Sequence, residues 1–279
     1  MSDSLLSIRI YITLLIYFIL LSPLLYLLIY LGLPIWIAPL LFILLLWYEY
    51  YTGVKSAIND ANAINLDEID EDTTWLVNMN KELSSDIGIP EPKIYIANLG
   101  GPNAFAAGRK RAGHIVIDPS IIQLLTHKEI KALMIHEMSH LKSYDIIPMV
   151  IAEGVAKTLS NIIYYIFEIL PINNNLSHSI ASTLVHIIYK IILIGSMLIS
   201  REREYMADSD AIKLGFGVEI HDTLFKLQKL MNENQVSNPP DSVAALCFTS
   251  YFENKWLKLF DTHPSLENRI KHVKNKLDS

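Results

Sequence analysis

Long apolar stretches alternate with polar, charge-bearing ones along this chain. From Ile10 to Tyr48 no side chain carries a charge. As one straight helix that run would measure about 58 Å at ~1.5 Å per residue, too long for a single bilayer crossing. Gly32, Pro34 and Pro39 interrupt its middle, so it reads as a hairpin with spans near Ile10–Leu31 and Ile35–Tyr51. A second apolar pair, Ile146–Leu170 and Ile180–Ile199, is split by Pro171-Ile172-Asn173-Asn174-Asn175. Glu153 and Lys157 interrupt its first member at a spacing that lets them pair on one helix face. This second pair either crosses the bilayer twice or folds as an apolar hairpin that shields a cleft.

The polar regions carry shorter periods. Lys55 to Ser85 reads as a polar connector followed by an amphipathic helix, with Asp67-Glu68-Ile69-Asp70-Glu71-Asp72 as a solvated patch. Gly88 to Pro92 ends that helix, Lys93–Ala97 reads as a strand, and Gly100-Gly101-Pro102 marks a turn. Asn103–Ala107 and His114–Ile117 extend this to a small sheet. Ile130 to Tyr144 reads as a helix, and the region from His221 is mostly helical, with a break at Asn238-Pro239-Pro240-Asp241 and a last helix starting near Thr262-His263-Pro264. Four segments follow: 1–52 as an N-terminal transmembrane hairpin, 53–145 as the first part of a polar domain, 146–199 as the second apolar pair, and 200–279 as the remainder of that domain.

Composition agrees with a membrane-associated chain: 51% of the 279 residues are apolar and mean hydropathy is positive. A signal peptide is not expected, because the first apolar run is too long and no A-x-A-like site closes it. Net charge is −6, with no basic stripe for a nucleic-acid partner. The single cysteine, Cys247, excludes an intrachain disulfide and a CxxC metal site. Arg9 and Lys55 flank the first hairpin while its turn has no basic residue, which places both flanks, and the polar domain with them, in the cytoplasm.

Chemistry enters at His136-Glu137-Met138-Ser139-His140, an HExxH motif inside the helical stretch. Residues four apart share a helix face, so both imidazoles can reach one ion, and Glu137 is placed to take a proton from water polarised there. An accidental HExxH is expected on the order of 0.02 times in such a chain. Catalytic zinc takes three protein ligands. The candidate for the third is Glu204, in Ser200-Arg201-Glu202-Arg203-Glu204-Tyr205-Met206-Ala207-Asp208. Asp208, one turn further on, can accept the outer N–H of a ligand histidine.

At these residues the chain resembles the HtpX-type integral-membrane zinc metallopeptidases, which are related to the CAAX prenyl endopeptidases. Five blocks occur in the family's order: Asn103-Ala104-Phe105-Ala106-Ala107-Gly108, Ile115-Val116-Ile117, the HExxH helix with Asp145 after it, the run from Ser200 to Asp208, and His263-Pro264-Ser265-Leu266-Glu267-Asn268-Arg269-Ile270. The resemblance implies a mainly α, α+β architecture. Its gluzincin-like catalytic domain would have a small β-sheet packed on the HExxH helix, and about four transmembrane helices would accompany it. It implies His136, His140 and Glu204 as ligands of one zinc ion per chain, with Glu137 as the catalytic base. It also makes His263, with Arg269 behind it, the candidate for steadying a tetrahedral intermediate, and gives Asn103 a candidate contact to substrate backbone or oxyanion.

The leading expectation is a multi-pass cell-membrane endopeptidase, active site facing the cytoplasm, that cuts misfolded or damaged membrane proteins. Its partners would be polypeptide substrates and the lipid bilayer. Two alternatives stand beside it: a CAAX prenyl endopeptidase-like processing enzyme, and a non-catalytic zinc-stabilised membrane sensor or scaffold. A strand within Asn103–Ile117 is expected to hold substrate extended through backbone hydrogen bonds.

Overall fold

The computed structural model describes residues 36–68, 73–109, 112–143, 202–233, 246–249 and 264–278, with isolated positions elsewhere. The chain divides into two units, Met1–Gly53 with Val150–Ile199 and Val54–Met149 with Ser200–Ser279. Among the described residues of the first unit is the start of helix α1 (Ile37–Asp60), which exposes Leu40, Ile43, Leu44, Trp47, Tyr48 and Tyr51. The expected spans at Ile10–Leu31, Ile146–Leu170 and Ile180–Ile199 lie wholly or almost wholly outside the described residues. No helix among the described residues is long and apolar enough to cross a membrane.

α1 runs past the expected span end at Tyr51. Its continuation is helical rather than a loose connector because Ala57 and Ile58 are buried, so the added turns gain apolar contact. The second unit then contains β1 (Ile64–Asn65), a short 3-10 turn over Leu66–Glu68, and helix α2 (Thr74–Ile87). Gly88 closes α2 in the left-handed conformation, its N–H donating to Ser84 O at 3.0 Å, the role glycine fills at helix ends.

β2 (Lys93–Ile96), β3 (Ala104–Arg109) and β4 (Ala112–Ile117) complete a four-stranded mixed sheet of order β1-β2-β4-β3. β2 and β4 are parallel, and the other two pairings are antiparallel. The β3–β4 hairpin closes tightly. Gly108 has φ +129°, and a Cβ there would meet Ala112 O at 2.3 Å. Gly113 lets the sheet approach the next long helix, since a Cβ would lie 2.8 Å from Leu141 Cδ1.

Asp118 caps helix α3 (Pro119–Leu124) by accepting from Ser120 N, and also accepts from Leu99 N at 2.6 Å, tying the loop before β3 to the end of β4. Helix α4 (His127–Ser143) starts one turn ahead of the expected Ile130. The cause is a reciprocal cap: Thr126 N donates to Glu129 Oε2 at 2.7 Å, and Glu129 N to Thr126 Oγ1 at 3.4 Å. Lys226 Nζ reaches the same Glu129 oxygen at 2.7 Å. Burial alone would raise the Glu129 carboxyl, but these bonds hold it below its ordinary value.

The chain returns in helix α5 (202–213), then α6 (Gly217–Asn232) and α7 (Leu266–Leu277), which Ser265 caps by accepting from Asn268 N. The core of this unit is formed by Leu76 and Leu83 of α2, Phe105, Ile115 and Ile117 of the sheet, Ile130, Leu133 and Ile135 of α4, and Leu224 and Leu227 of α6. The result is mainly helical with one small sheet packed on α4, which places the HExxH residues between sheet and helices.

Candidate metal centre

His136 and His140 lie one turn apart on α4, and their Nε2 atoms are 3.1 Å apart. Glu204 comes to them from α5, with Oε2 3.4 Å from His136 Nε2 and Oε1 3.4 Å from His140 Nε2. One ligand atom from each of the three residues falls within 4.8 Å of the others. Donors around a tetrahedral zinc with bonds near 2.05 Å stand about 3.3 Å apart, so the spacing suits such an ion.

The outer nitrogen of His136 decides its tautomer. Nδ1 is 3.0 Å from Asp208 Oδ1 and 3.4 Å from Arg269 Nη2. The carboxylate only accepts, and it is nearer, so Nδ1 carries the proton and Nε2 is left as a lone pair. That lone pair faces the second histidine and a carboxylate across a buried space, and such a cluster of acceptors calls for a cation. Glu137 adjoins it, 2% exposed, and its Oε1 has no hydrogen-bond partner among the described residues.

Residues 70–277, three quarters of the chain and all of these side chains, match peptidase family M48. This chain is an HtpX-type member of that family. It is 28% identical over 254 residues to a protein named Protease HtpX homolog from Halobacterium salinarum, covering 84% of this chain and 87% of that one. It is 33% identical over 225 residues to Protease HtpX of Buchnera aphidicola subsp. Schizaphis graminum, covering 74% of each. Its fold is similar to that of the S. mikatae Ste24p crystal structure, with TM-score 0.52 and 19% identity over 95% of this chain and 67% of that chain. The M48 chain is a metalloprotease hydrolase, and its His-His-Glu group could hold the metal ion that this class requires.

Behind the candidate ligands of this M48 chain lies a buried ionic network. Arg269, from α7, is 0% exposed. Its Nε and Nη2 donate to the two oxygens of Asp208 at 2.9 and 2.7 Å, and Nη1 lies 3.0 Å from both Glu204 Oε2 and Phe248 O. The two-pronged geometry is one that arginine offers and lysine does not. Burial alone would raise the Asp208 carboxyl. The Arg269 charge and the bonds from His136 and Arg269 overcome this and hold it below its ordinary value. For Glu137, burial dominates and pushes the carboxyl up, with the neighbouring histidines opposing.

Arg269 has its nitrogens engaged by Asp208, Glu204 and Phe248 and no solvent exposure; it braces the Glu204 carboxylate and the acid behind His136, a supporting place like the one expected for it behind the site. Asn103 is likewise engaged: Nδ2 donates to Thr249 O at 2.9 Å, and Oδ1 accepts from Thr249 N at 3.1 Å and Ala104 N at 3.0 Å. Its amide therefore anchors the 249 backbone. His263 and Asp145 lie outside the described residues.

Sequence reasoning gave residues 247–249 no place at the site. Phe248 packs edge-to-face on His136, with ring centroids 4.7 Å apart, and lies 4.2 Å from the Arg269 guanidinium carbon. Cys247 beside it is fully buried, which raises its thiol well above the ordinary value. No spacing rule points to this segment, because its partners are elsewhere in the chain.

Proposed function

We propose that this chain is a zinc-dependent, multi-pass cell-membrane endopeptidase that hydrolyses peptide bonds in misfolded or damaged membrane proteins from the cytoplasmic side. The observation that carries the reading is the convergence of His136, His140 and Glu204 beside a buried Glu137, one of whose oxygens has no partner among the described residues. The charge-free run from Ile10 to Tyr48 and the exposed Trp, Leu and Tyr face of α1 support the membrane assignment. The basic residues flanking the first hairpin support the orientation. The relatives named Protease HtpX support proteolysis as the reaction.

His136, His140 and Glu204 would hold one zinc ion, which when bound supplies Lewis acidity toward the scissile carbonyl and its attacking water. Glu137 takes the proton of that water and later returns it to the departing amine. Its burial keeps proton affinity high enough for both transfers. Asp208 keeps the proton on His136 Nδ1, and Arg269 holds Asp208 and Glu204 in place. By the resemblance to the HtpX-type peptidases, His263, which lies outside the described residues, is the candidate for the group that steadies the tetrahedral intermediate.

Substrate is held by the outer edge of β3. Asn103 O accepts from Asp118 N on the β4 side, so by strand alternation Ala104, Ala106 and Gly108 turn their backbone groups outward. Ala104 O already accepts from Phe248 N at 2.7 Å. Ala106 and Gly108, which are buried in the structure as described, are the outward positions left for pairing with an extended peptide.

The test is cleavage of an unstructured protein such as casein by the detergent-purified chain. Activity should vanish with a chelator, return with zinc, and be absent from Glu137→Gln while metal content stays at one per chain. Full turnover in that variant, or cleavage that survives metal removal, refutes the assignment. Preference for a prenylated peptide over casein would redirect it to the processing enzyme.

A further inference from the structure

Three backbone and side-chain links meet at one residue that no catalytic motif includes. Phe248 N–H donates to Ala104 O of the β3 edge at 2.7 Å. Phe248 O accepts from Arg269 Nη1 at 3.0 Å. Its ring, 2% exposed, packs against both the His136 imidazole at 4.7 Å and the Arg269 guanidinium at 4.2 Å. The following residue is clasped at both its N–H and C=O by the Asn103 amide. Residues 248 and 249 are thus tied to the sheet on one side and to the ionic network on the other.

We propose that Phe248 is a positioning residue for the metal centre. Its ring packs against both the His136 imidazole and the Arg269 guanidinium, holds the two in their mutual contact at 3.4 Å, and so tightens metal binding. The argument has two parts. An aromatic ring packed edge-to-face removes rotational freedom from the imidazole, adding to the bond from Nδ1 to Asp208 and the packing against His140. The π face over the guanidinium covers the cation where it braces Glu204 and Asp208, which strengthens both contacts by excluding water. Supports behind metal ligands are worth about 10–100-fold in affinity, and Phe248 touches two members of that support at once. The inference rests on His136 being a ligand, which is the reading proposed above.

The experiment measures zinc affinity of the full chain in detergent by competition with a chromophoric chelator. Thermal unfolding in excess chelator and the visible spectrum of the cobalt-substituted protein are recorded alongside. Phe248→Leu keeps most of the volume and loses the π face; it should bind zinc about tenfold more weakly and shift the cobalt bands, with the metal-free melting temperature little changed. Phe248→Tyr restores the face and should restore the affinity. Affinity and cobalt spectrum of Phe248→Leu equal to wild type overturn the proposal, as does a variant that loses metal-free stability but binds zinc as before. His136→Ala separates the two readings. If wild type binds zinc and His136→Ala does not, an unaffected Phe248→Leu refutes the Phe248 role alone. Unchanged binding in His136→Ala refutes the ligand assignment beneath it.

Discussion

Replacing Arg269 by Met tests the ionic network behind the candidate ligands. Arg269 is 0% exposed and meets two carboxylates: Asp208 through paired bonds at 2.9 and 2.7 Å, and Glu204 at 3.0 Å. Methionine fills much of the space but leaves both acids buried without that cation. Breaking a buried pair from one side costs about 3–5 kcal/mol, because the remaining charge is uncompensated. At about 2–4 °C per kcal/mol for chains of this size, the apparent melting temperature should fall by roughly 6–20 °C. The assay is thermal unfolding in detergent with excess chelator, which removes any contribution from metal. Adding Asp208→Asn to Arg269→Met should recover part of the loss, since it removes one orphaned charge. The pH dependence has a definite sign. Asp208 titrates below its ordinary value in the folded state, so its pairing contributes fully above the unfolded pKa of about 3.9. That contribution is lost as pH falls through the folded value. The gap between wild type and variant should hold from neutral pH down to about 5 and close only in stronger acid. A fall of under about 2 °C for Arg269→Met, or strictly additive losses in the double variant, refutes this account.

Other expectations follow from single contacts. His140→Ala should lose both bound metal and cleavage, and normal zinc content in that purified variant contradicts ligation. Ala106→Pro removes an outward N–H from β3 without touching the β4 ladder, a substitution that edge positions tolerate; it should lower kcat/KM about tenfold, the worth of one hydrogen bond, while metal content is unchanged, and an unaltered kcat/KM removes β3 as the substrate edge. Glu129→Gln should destabilise at neutral pH by weakening the tie between α4 and Lys226. Because Glu129 titrates low in the fold, the wild-type advantage should fade as pH drops below about 4.3, and an advantage that persists at pH 2 refutes the assigned cause. Asn103→Ala should weaken zinc binding through residues 248 and 249 more than it changes KM for a peptide, and the opposite split would return Asn103 to a substrate contact.

The sequence by itself determined what is local. His136 and His140 are one turn apart, so any helix through them brings their rings together, and the same period sets Asp208 one turn beyond Glu204. The strands around Lys93–Ile96 and Ala112–Ile117 were legible because glycine and proline punctuate them. The reciprocal cap at Thr126 and Glu129 could have been found from its spacing alone.

Tertiary structure decided what depends on distant partners. Asn103 and Thr249 are 146 residues apart, and Arg269 lies 61 residues from Asp208 and 133 from His136. Whether a polar side chain serves a substrate or braces the fold depends on which groups packing brings within hydrogen-bond reach, and periodicity carries no information on that. Hence the Asn103 amide proved to be an anchor, Arg269 a brace for two acids, and Phe248 the contact between a metal-ligand candidate and the sheet edge. An isolated Phe in a short apolar stretch has no signature; its place follows only from the closing of α4, α5 and α7 around one buried space.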